Sequence, residues 1–104
     1  TPRILKEFNH RAEISIDTRA NETFTVLEVV AADRPGLLAK LARVFHAHHI
    51  QIQAAKITTL GERVEDVFHI VTANGLPMND PEAVDQLSKS IQVELDQHIQ
   101  RVSA

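Results

Sequence analysis

Cysteine, tyrosine and tryptophan are absent from this 104-residue chain, and phenylalanine occurs only four times. Without cysteine, the chain has no disulfide framework, no thiolate metal site and no thiol nucleophile. With so few aromatic rings, it lacks the stacking platforms on which a β-sheet binds single-stranded RNA. Nothing in this composition requires an oxidising compartment, so the cytoplasm is the default location.

Long apolar runs and a strong charge of either sign are also missing. No run approaches the roughly 20 apolar residues of a membrane-spanning helix, and residues 1–10 lack the apolar stretch of a signal peptide. The formal net charge is -3, so no basic field gathers phosphate groups. We therefore expect no nucleic acid and no membrane among the partners, and favour small molecules or other proteins.

The length and the ordinary composition, with 43% hydrophobic residues, predict one compact domain. The only methionine is Met78, so the chain as given has no initiating residue. We expect a fragment of a longer protein, in which residues 1–11 form a linker or arm and residues 12–104 form a single domain.

Hydrophobic periodicity predicts six elements in the order strand, strand, helix, strand, strand, helix. The strands are predicted over residues 12–17, 23–31, 50–59 and 64–72, and the helices over residues 35–48 and 81–100. The second strand is apolar on both faces, which predicts a central position, and a right-handed crossover after it leaves a gap that the fourth strand fills. The prediction is an α+β, ferredoxin-like fold: a four-stranded antiparallel sheet with two helices on one face. The ββαββα order puts the N-terminal strand where the last strand usually lies.

The turn between the second strand and the first helix, residues 33–38 (DRPGLL), is the strongest candidate site. Pro35 suits the first helical position, so the helix is predicted to begin there. The backbone N–H groups of a first helical turn lack intrahelical partners and suit a carboxylate, while Asp33 can accept from an ammonium group. An amino acid satisfies both requirements. The alternative is that Asp33 caps the helix and Gly36 relieves crowding.

Other clusters of functional residue types predict no chemistry of their own. His46, His48 and His49 do not share one helical face, so we predict no metal site. Glu65 and Asp66 are neighbours in a strand and point to opposite faces, so they are not a general acid–base pair. The sequence contains no glycine-rich phosphate loop, nucleophile elbow or HExxH motif. We predict no catalytic residues and no cofactor.

Several segments together resemble the ACT domain, a small module that binds amino acids and regulates the enzyme that carries it. They are residues 25–29 (TVLEV), 33–39 (DRPGLLA), 55–57 (AKI) and 67–68 (VF). A longer stretch, residues 55–68 (AKITTLGERVEDVF), is similar to the C-terminal ACT domain of bacterial bifunctional uridylyltransferase/uridylyl-removing enzymes. The likeness extends from residues 2–5 (PRIL) into the second helix, and so covers nearly the whole chain.

This resemblance implies a regulatory domain rather than an enzyme, with L-glutamine as its effector. Glutamine would set the balance between uridylylation and deuridylylation of a PII nitrogen signal protein, carried out by catalytic domains upstream in the same chain. A sibling ACT domain or a second copy would be the pairing partner, often with the ligand between them. The ligand would lie against the turn and first helical turn, with help from the neighbouring strand. The implied ligand-binding residues are Asp33, Arg34, Gly36, Leu37, Leu38, Gln51, Gln53 and Ala54.

Two other hypotheses stay open at this point. A structural ACT module would pair with another domain or subunit without binding a ligand. A small phosphatase would use Arg34 and the adjacent amides as an anion cradle, although no residue is recognisable that would position the attacking water. The face of the sheet to which Gln51, Gln53 and Ala54 point also stays open, because a bulge at Ala54 and Ala55 would change the alternation of side chains along the strand.

Overall fold

The structure of the chain, a computed structural model, describes residues 11–103, with side chains as far as residue 96. Its elements are β1 (Glu13–Asp17), β2 (Thr25–Ala32), α1 (Leu37–Ala47), β3 (Gln51–Leu60), β4 (Arg63–Val71) and α2 (Pro81–Ser103). The arm predicted for residues 1–11 lies, up to residue 10, outside the described residues. No helix of the described part is long and apolar enough to cross a membrane.

The four strands form one antiparallel sheet in the order β1-β2-β4-β3. In the central pair, Thr25 lies opposite Ile70 and Ala32 lies opposite Arg63. β1 lies outside β2, with Glu13 opposite Val30. The predicted α+β, ferredoxin-like fold is confirmed, with the N-terminal strand at the edge of the sheet.

The core lies between one face of β2 and β4 and the apolar stripes of the two helices. Alternation in the strands and helical spacing in α1 and α2 bring these residues to one layer, because every second strand residue and every third or fourth helix residue faces it. Its most buried members include Leu27, Val29, Phe68, Ile70, Leu41, Phe45, Leu87 and Ile91. Phe45 and Phe68 meet edge to face with ring centroids 5.4 Å apart, which joins α1 to β4.

β3 differs from the other strands because the helices leave it uncovered. Of its ten residues only Thr58 is partly buried, and the rest are exposed. A bulge, expected at Ala54 and Ala55, occurs between Ile52 and Ala54, so that Gln53 has no partner in β4. β3 therefore presents a long, open strand edge of the kind that proteins cover by pairing with another strand.

The predicted start of the first helix at Pro35 is wrong by two residues. Gly36 has φ 80° and ψ 4°, a left-handed conformation that a helix cannot contain. The Leu37 N–H donates to the Arg34 carbonyl at 3.2 Å, so residues 34–37 form a type II turn with proline and glycine in the central positions. The helix therefore begins only at Leu37.

The predicted start of the second helix is confirmed at its cap. The Glu82 N–H donates to Asp80 Oδ1 at 3.1 Å, and the Val84 N–H donates to the Asp80 carbonyl at 3.0 Å. This acidic cap suits the positive end of the helix dipole.

We predict that Ile91→Ala lowers the free energy of unfolding by about 2–5 kcal/mol, because Ile91 is fully buried between the sheet and α1 and its truncation leaves a cavity. Val93→Ala, two residues further along α2 at an exposed position, is the matched control and should change stability by less than about 0.5 kcal/mol. Urea denaturation measures both. Equal losses for the two variants would contradict the assigned face of α2.

Candidate ligand site

The turn that leads into α1 is held against the tip of the β3–β4 hairpin. The Asp33 N–H donates to the Glu62 carbonyl at 2.7 Å, which ties the end of β2 to the residues between the two hairpin strands. The register agrees with this contact, since Ala32 lies opposite Arg63 and Arg63 lies opposite Leu60. The start of α1 and the end of β3 therefore lie at the same end of the sheet.

The N-terminus of α1 has no side-chain cap. Gly36 occupies the capping position, and Asp33 makes no capping bond, so the alternative that Asp33 serves as a helix cap is wrong. The Lys40 N–H donates to the Gly36 carbonyl at 3.0 Å, whereas the Leu38 and Ala39 N–H groups donate to no described residue. A Cβ on Gly36 would meet no atom within 4 Å. Unpaired amides beside open space form a site for an anion.

The side chains of the turn separate into two groups. Arg34 and Leu37 are turned toward α2, where they line a cavity of about 20 Å³ together with Lys40 and Leu95. That cavity has room for about one water molecule. Leu38, by contrast, is 48% exposed. Of the predicted helix residues, Leu38 therefore offers an open side chain, whereas Leu37 can contribute only its backbone.

The predicted strand residues lie far from this turn within one chain. Gln51 pairs with Val71 and Ala54 pairs with His69, at the opposite end of the sheet from Asp33. Counted along β3, Gln53 is about 20–25 Å from the strand end that adjoins the turn. The structure thus brings together Asp33, Arg34, Gly36, Leu37 and Leu38, but it does not bring Gln51, Gln53 and Ala54 to them.

Two exposed apolar side chains of β3 do lie at the end of the sheet near the turn. Ile57 is 46% exposed and Leu60 is 49% exposed. Both lie in the half of β3 that ends next to the β3–β4 tip, where Leu60 pairs with Arg63. Ile57, opposite Asp66, supplies apolar surface on the helix-covered face, whereas Leu60, opposite Arg63, lies on the open face.

In the described part of the chain, two residues have buried side-chain polar atoms without a hydrogen-bond partner: Arg34, through Nη1, and Asp66, through both carboxylate oxygens. Asp66 lies in β4 between Val29 and Ile57, on the face that the helices cover, and is only 1% exposed. Neither of its carboxylate oxygens has a hydrogen-bond partner within residues 11–103. Buried polar groups are normally hydrogen-bonded, so this exception indicates a function or a missing partner.

The electrostatic surroundings of Asp66 disfavour its charged form. Burial raises the pKa of the Asp66 carboxyl above its ordinary value of 3.8, the backbone N–H of Thr58 lowers it without reaching hydrogen-bond geometry, and the negative charge of Asp33 raises it. Burial and the charge of Asp33 thus act in the same direction on Asp66. A cation bound to Asp66 would relieve both effects.

The sequence carried a signal that could have revealed Asp66. In β4 the alternate residues Val64, Phe68 and Ile70 are buried apolar core residues, and Asp66 is the acidic residue in the same series. The prediction that Glu65 and Asp66 point to opposite faces is confirmed, because Glu65 instead pairs with Arg63 at 3.0 Å on the open face. An acidic residue within an otherwise apolar series of a strand is the signal that marks Asp66.

Other polar contacts and hollows offer weaker sites. His48 Nε2 lies 2.9 Å from Ser90 Oγ between the two helices, but no described acidic group hydrogen-bonds to this histidine. A hollow of about 390 Å³ lies between the end of β1 and the start of α2, lined among others by Ile16 and Ser88. The helix start at that hollow is capped by Asp80, which accepts from the Glu82 N–H, so it offers fewer free amides than the start of α1.

Comparisons with known proteins bear on the family to which the chain belongs. A family model described as the ACT domain matches residues 25–92, which include the turn, β3, β4 and about the first half of α2. Bifunctional uridylyltransferase/uridylyl-removing enzymes are 48% identical to the chain in Pseudomonas syringae pv. tomato and 47% identical in Ectopseudomonas mendocina and Pseudomonas putida, over 90 residues each. These matches cover 86% of this chain and 10% of each relative, so the chain spans about a tenth of their length.

Because the pKa of Asp66 is raised, we predict that the stability of the fold depends on pH through this residue. Because the folded state holds the proton more tightly than the unfolded state, the stabilisation by protonated Asp66 is complete below pH 3.8 and is lost as the pH rises through the raised pKa. Asp66→Asn should therefore become more stable relative to the parent chain as the pH is raised from about 4 to about 8. Urea denaturation at several pH values measures this difference.

Glu65→Gln is the matched control, since Glu65 is the adjacent acid on the open face and pairs with Arg63. Its stability relative to the parent chain should lack this rise with pH. A constant difference between Asp66→Asn and the parent chain over the whole pH range would contradict the burial of a titrating carboxyl at this position.

Proposed function

The chain belongs to the ACT domain family, and from this premise we propose that it binds L-glutamine at the start of α1 and thereby regulates an enzyme. The observation that carries the proposal is the uncapped N-terminus of α1, where free amides adjoin open space at Gly36 and an acidic residue, Asp33, lies within the same turn. An α-amino acid has the two charges that this arrangement lacks. Its carboxylate suits the amides, and its ammonium group suits the acid.

The separation between the turn and the strand residues supports a site shared by two ACT units. β3 is a sheet edge exposed along nearly its whole length. If β3 pairs antiparallel with β3 of a second unit, residues 51–54 of that unit lie beside residues 57–60 of the first. Gln51, Gln53 and Ala54 of one unit would then complete the site that Asp33, Gly36 and Leu38 of the other begin. In a symmetric pair this arrangement occurs twice.

At the level of the whole protein, we propose that the chain is the regulatory part of a bifunctional uridylyltransferase/uridylyl-removing enzyme. Its relatives carry that name, and they are about ten times as long as the matched segment. Catalytic domains elsewhere in the protein would add uridylyl groups to a PII nitrogen signal protein and remove them. Glutamine would shift this balance through a difference in affinity between two states of the enzyme.

The exposed edge of β3 also favours the second candidate function, a structural module that pairs without a ligand. The two functions differ in what light scattering detects. A structural module has the same molar mass with and without glutamine, whereas a ligand-completed pair is stabilised by the ligand that lies between its halves.

We predict that Gly36→Leu lowers the affinity for glutamine at least tenfold, because the side chain enters the open space beside the free amides. Gly75→Leu is the matched control: Gly75 has φ 78°, close to the 80° of Gly36, so both substitutions cost a similar backbone strain. Gly75 lies in the loop after β4, at the other end of the sheet. Titration calorimetry with glutamine, glutamate and asparagine measures the affinities.

In the whole enzyme, Gly36→Leu should abolish the response to glutamine while the uridylyl-transfer turnover continues. Equal losses of affinity for the two glycine variants would assign the effect to strain and contradict the site. A parent chain that gives no heat with any of the three amino acids would contradict autonomous amino-acid binding.

The shared site predicts complementation between two defective variants. Gly36→Leu damages the turn of every copy, and Gln53→Lys damages the strand contribution of every copy, so each variant alone should bind poorly. A mixed pair has one site built from two undamaged halves, so an equal mixture should regain about one quarter of the parental sites after exchange of partners. Calorimetric stoichiometry of the mixture measures this recovery.

A mixture of Gly36→Leu with Gly36→Leu/Gln53→Lys is the control, since no pair formed from these chains contains an intact site. Absence of recovery in the first mixture would contradict a site shared between two copies of this chain.

A further inference from the structure

The buried carboxylate of Asp66 lowers the stability of the folded chain, and the fold does not need a carboxylate at this position. An ionised carboxylate away from water is strongly destabilising unless it is paired, and in the described part of the chain neither oxygen of Asp66 has a partner. The nearby Asp33 adds a like charge. An apolar residue between Val29 and Ile57 would continue the buried series of β4 without this cost.

The position of Asp66 joins it to the start of α1. The side chain lies on the helix-covered face of β4, opposite Val29 and Ile57, in the half of the sheet that ends at the start of α1. Two unlike features thus lie in one half of the sheet: free backbone amides that attract an anion, and carboxylates that attract a cation. The two charges of an α-amino acid are attached to the same carbon atom, so one molecule can engage both features.

The nature of the cation follows from the donors available. A metal ion would need more oxygen or nitrogen ligands than two carboxylates, and the described residues contain no group of three or more histidine, cysteine, aspartate or glutamate side chains that could hold one. An ammonium group carries three N–H donors and can bond to both carboxylates at once.

We propose that Asp66, together with Asp33, binds the α-ammonium group of the amino acid whose carboxylate binds the Leu38 and Ala39 amides. Asp66 thereby makes the site specific for ligands with an α-amino group. This inference rests on the proposed amino-acid binding and adds a residue that the sequence pattern did not assign. A ligand without the amino group leaves the buried carboxylate unpaired and is rejected for that reason.

Because Asp66 is almost fully buried, the ammonium group can reach it only if the segment leading into α1 shifts. That segment is held by the Asp33 bond to Glu62 and the Leu37 bond to Arg34, and no side chain caps the helix after it. Ligand entry therefore moves residues 33–38. Movement of this segment on binding gives a regulatory domain a structural change to transmit.

The test compares glutamine with its analogue that lacks the α-amino group, 4-carbamoylbutanoate, in titration calorimetry of the parent chain, Asp66→Asn and Glu65→Gln. The parent chain and Glu65→Gln should bind glutamine at least tenfold more tightly than the analogue. In Asp66→Asn the affinity for glutamine should fall at least tenfold, while that for the analogue stays the same or rises. Circular dichroism establishes that each variant is folded.

The outcomes separate this inference from the proposed function. If the parent chain binds glutamine and Asp66→Asn binds it equally well, the role of Asp66 is overturned while glutamine binding stands. If Asp66→Asn does not fold, the measurement on the parent chain still tests the inference. Equal affinities of the parent chain for glutamine and for the analogue would overturn it. If the parent chain binds neither compound nor any other amino acid, the proposed function and the inference fail together.

Discussion

The antiparallel pairing of β2 with β4 is the constraint on which the other features depend. Its register ends with Ala32 opposite Arg63, and this brings Asp33 within 2.7 Å of the Glu62 carbonyl. The same register sets Asp66 opposite Val29 beneath the helix layer. A shift by one residue would turn Asp66 to the open face and move the apolar residues of β4 away from the core. Fold and site are therefore specified by one set of hydrogen bonds.

The two helix starts show how a similar local problem is solved in two ways. At α2 an aspartate side chain accepts from the Glu82 amide, whereas at α1 a glycine in a left-handed conformation occupies the capping position and no side chain caps the helix. The free amides and the unpaired Asp66 both cost stability in the free chain. The buried row of apolar residues on β2, β4 and the helices offsets that cost, so the fold can retain polar groups suited to a ligand.

Much of the fold follows from the sequence because strand alternation and helical spacing are local patterns. They predict all six described elements, and the two apolar faces of residues 23–31 identify the central strand. The start of α1 was misplaced because a proline at the first helical position and a proline in a type II turn look alike in sequence, until Gly36 fixes the turn. The exposure of β3 could not be predicted, since it depends on how far the helix layer extends over the sheet. The separation of Gln53 from Asp33 can be predicted from the direction of the strands. The burial of Asp66 can be predicted from its place in an apolar series of β4.

The central claim is that an amino acid binds where the start of α1 meets the end of β3. A titration of the isotopically labelled chain with glutamine, followed by amide nuclear magnetic resonance, tests it most directly. The account predicts the largest shifts at the amides of residues 36–39 and 57–60, with a second group at residues 51–54 supplied by the paired unit. Shifts confined to the loop of residues 72–79 and the start of α2, or shifts that do not saturate, would contradict it.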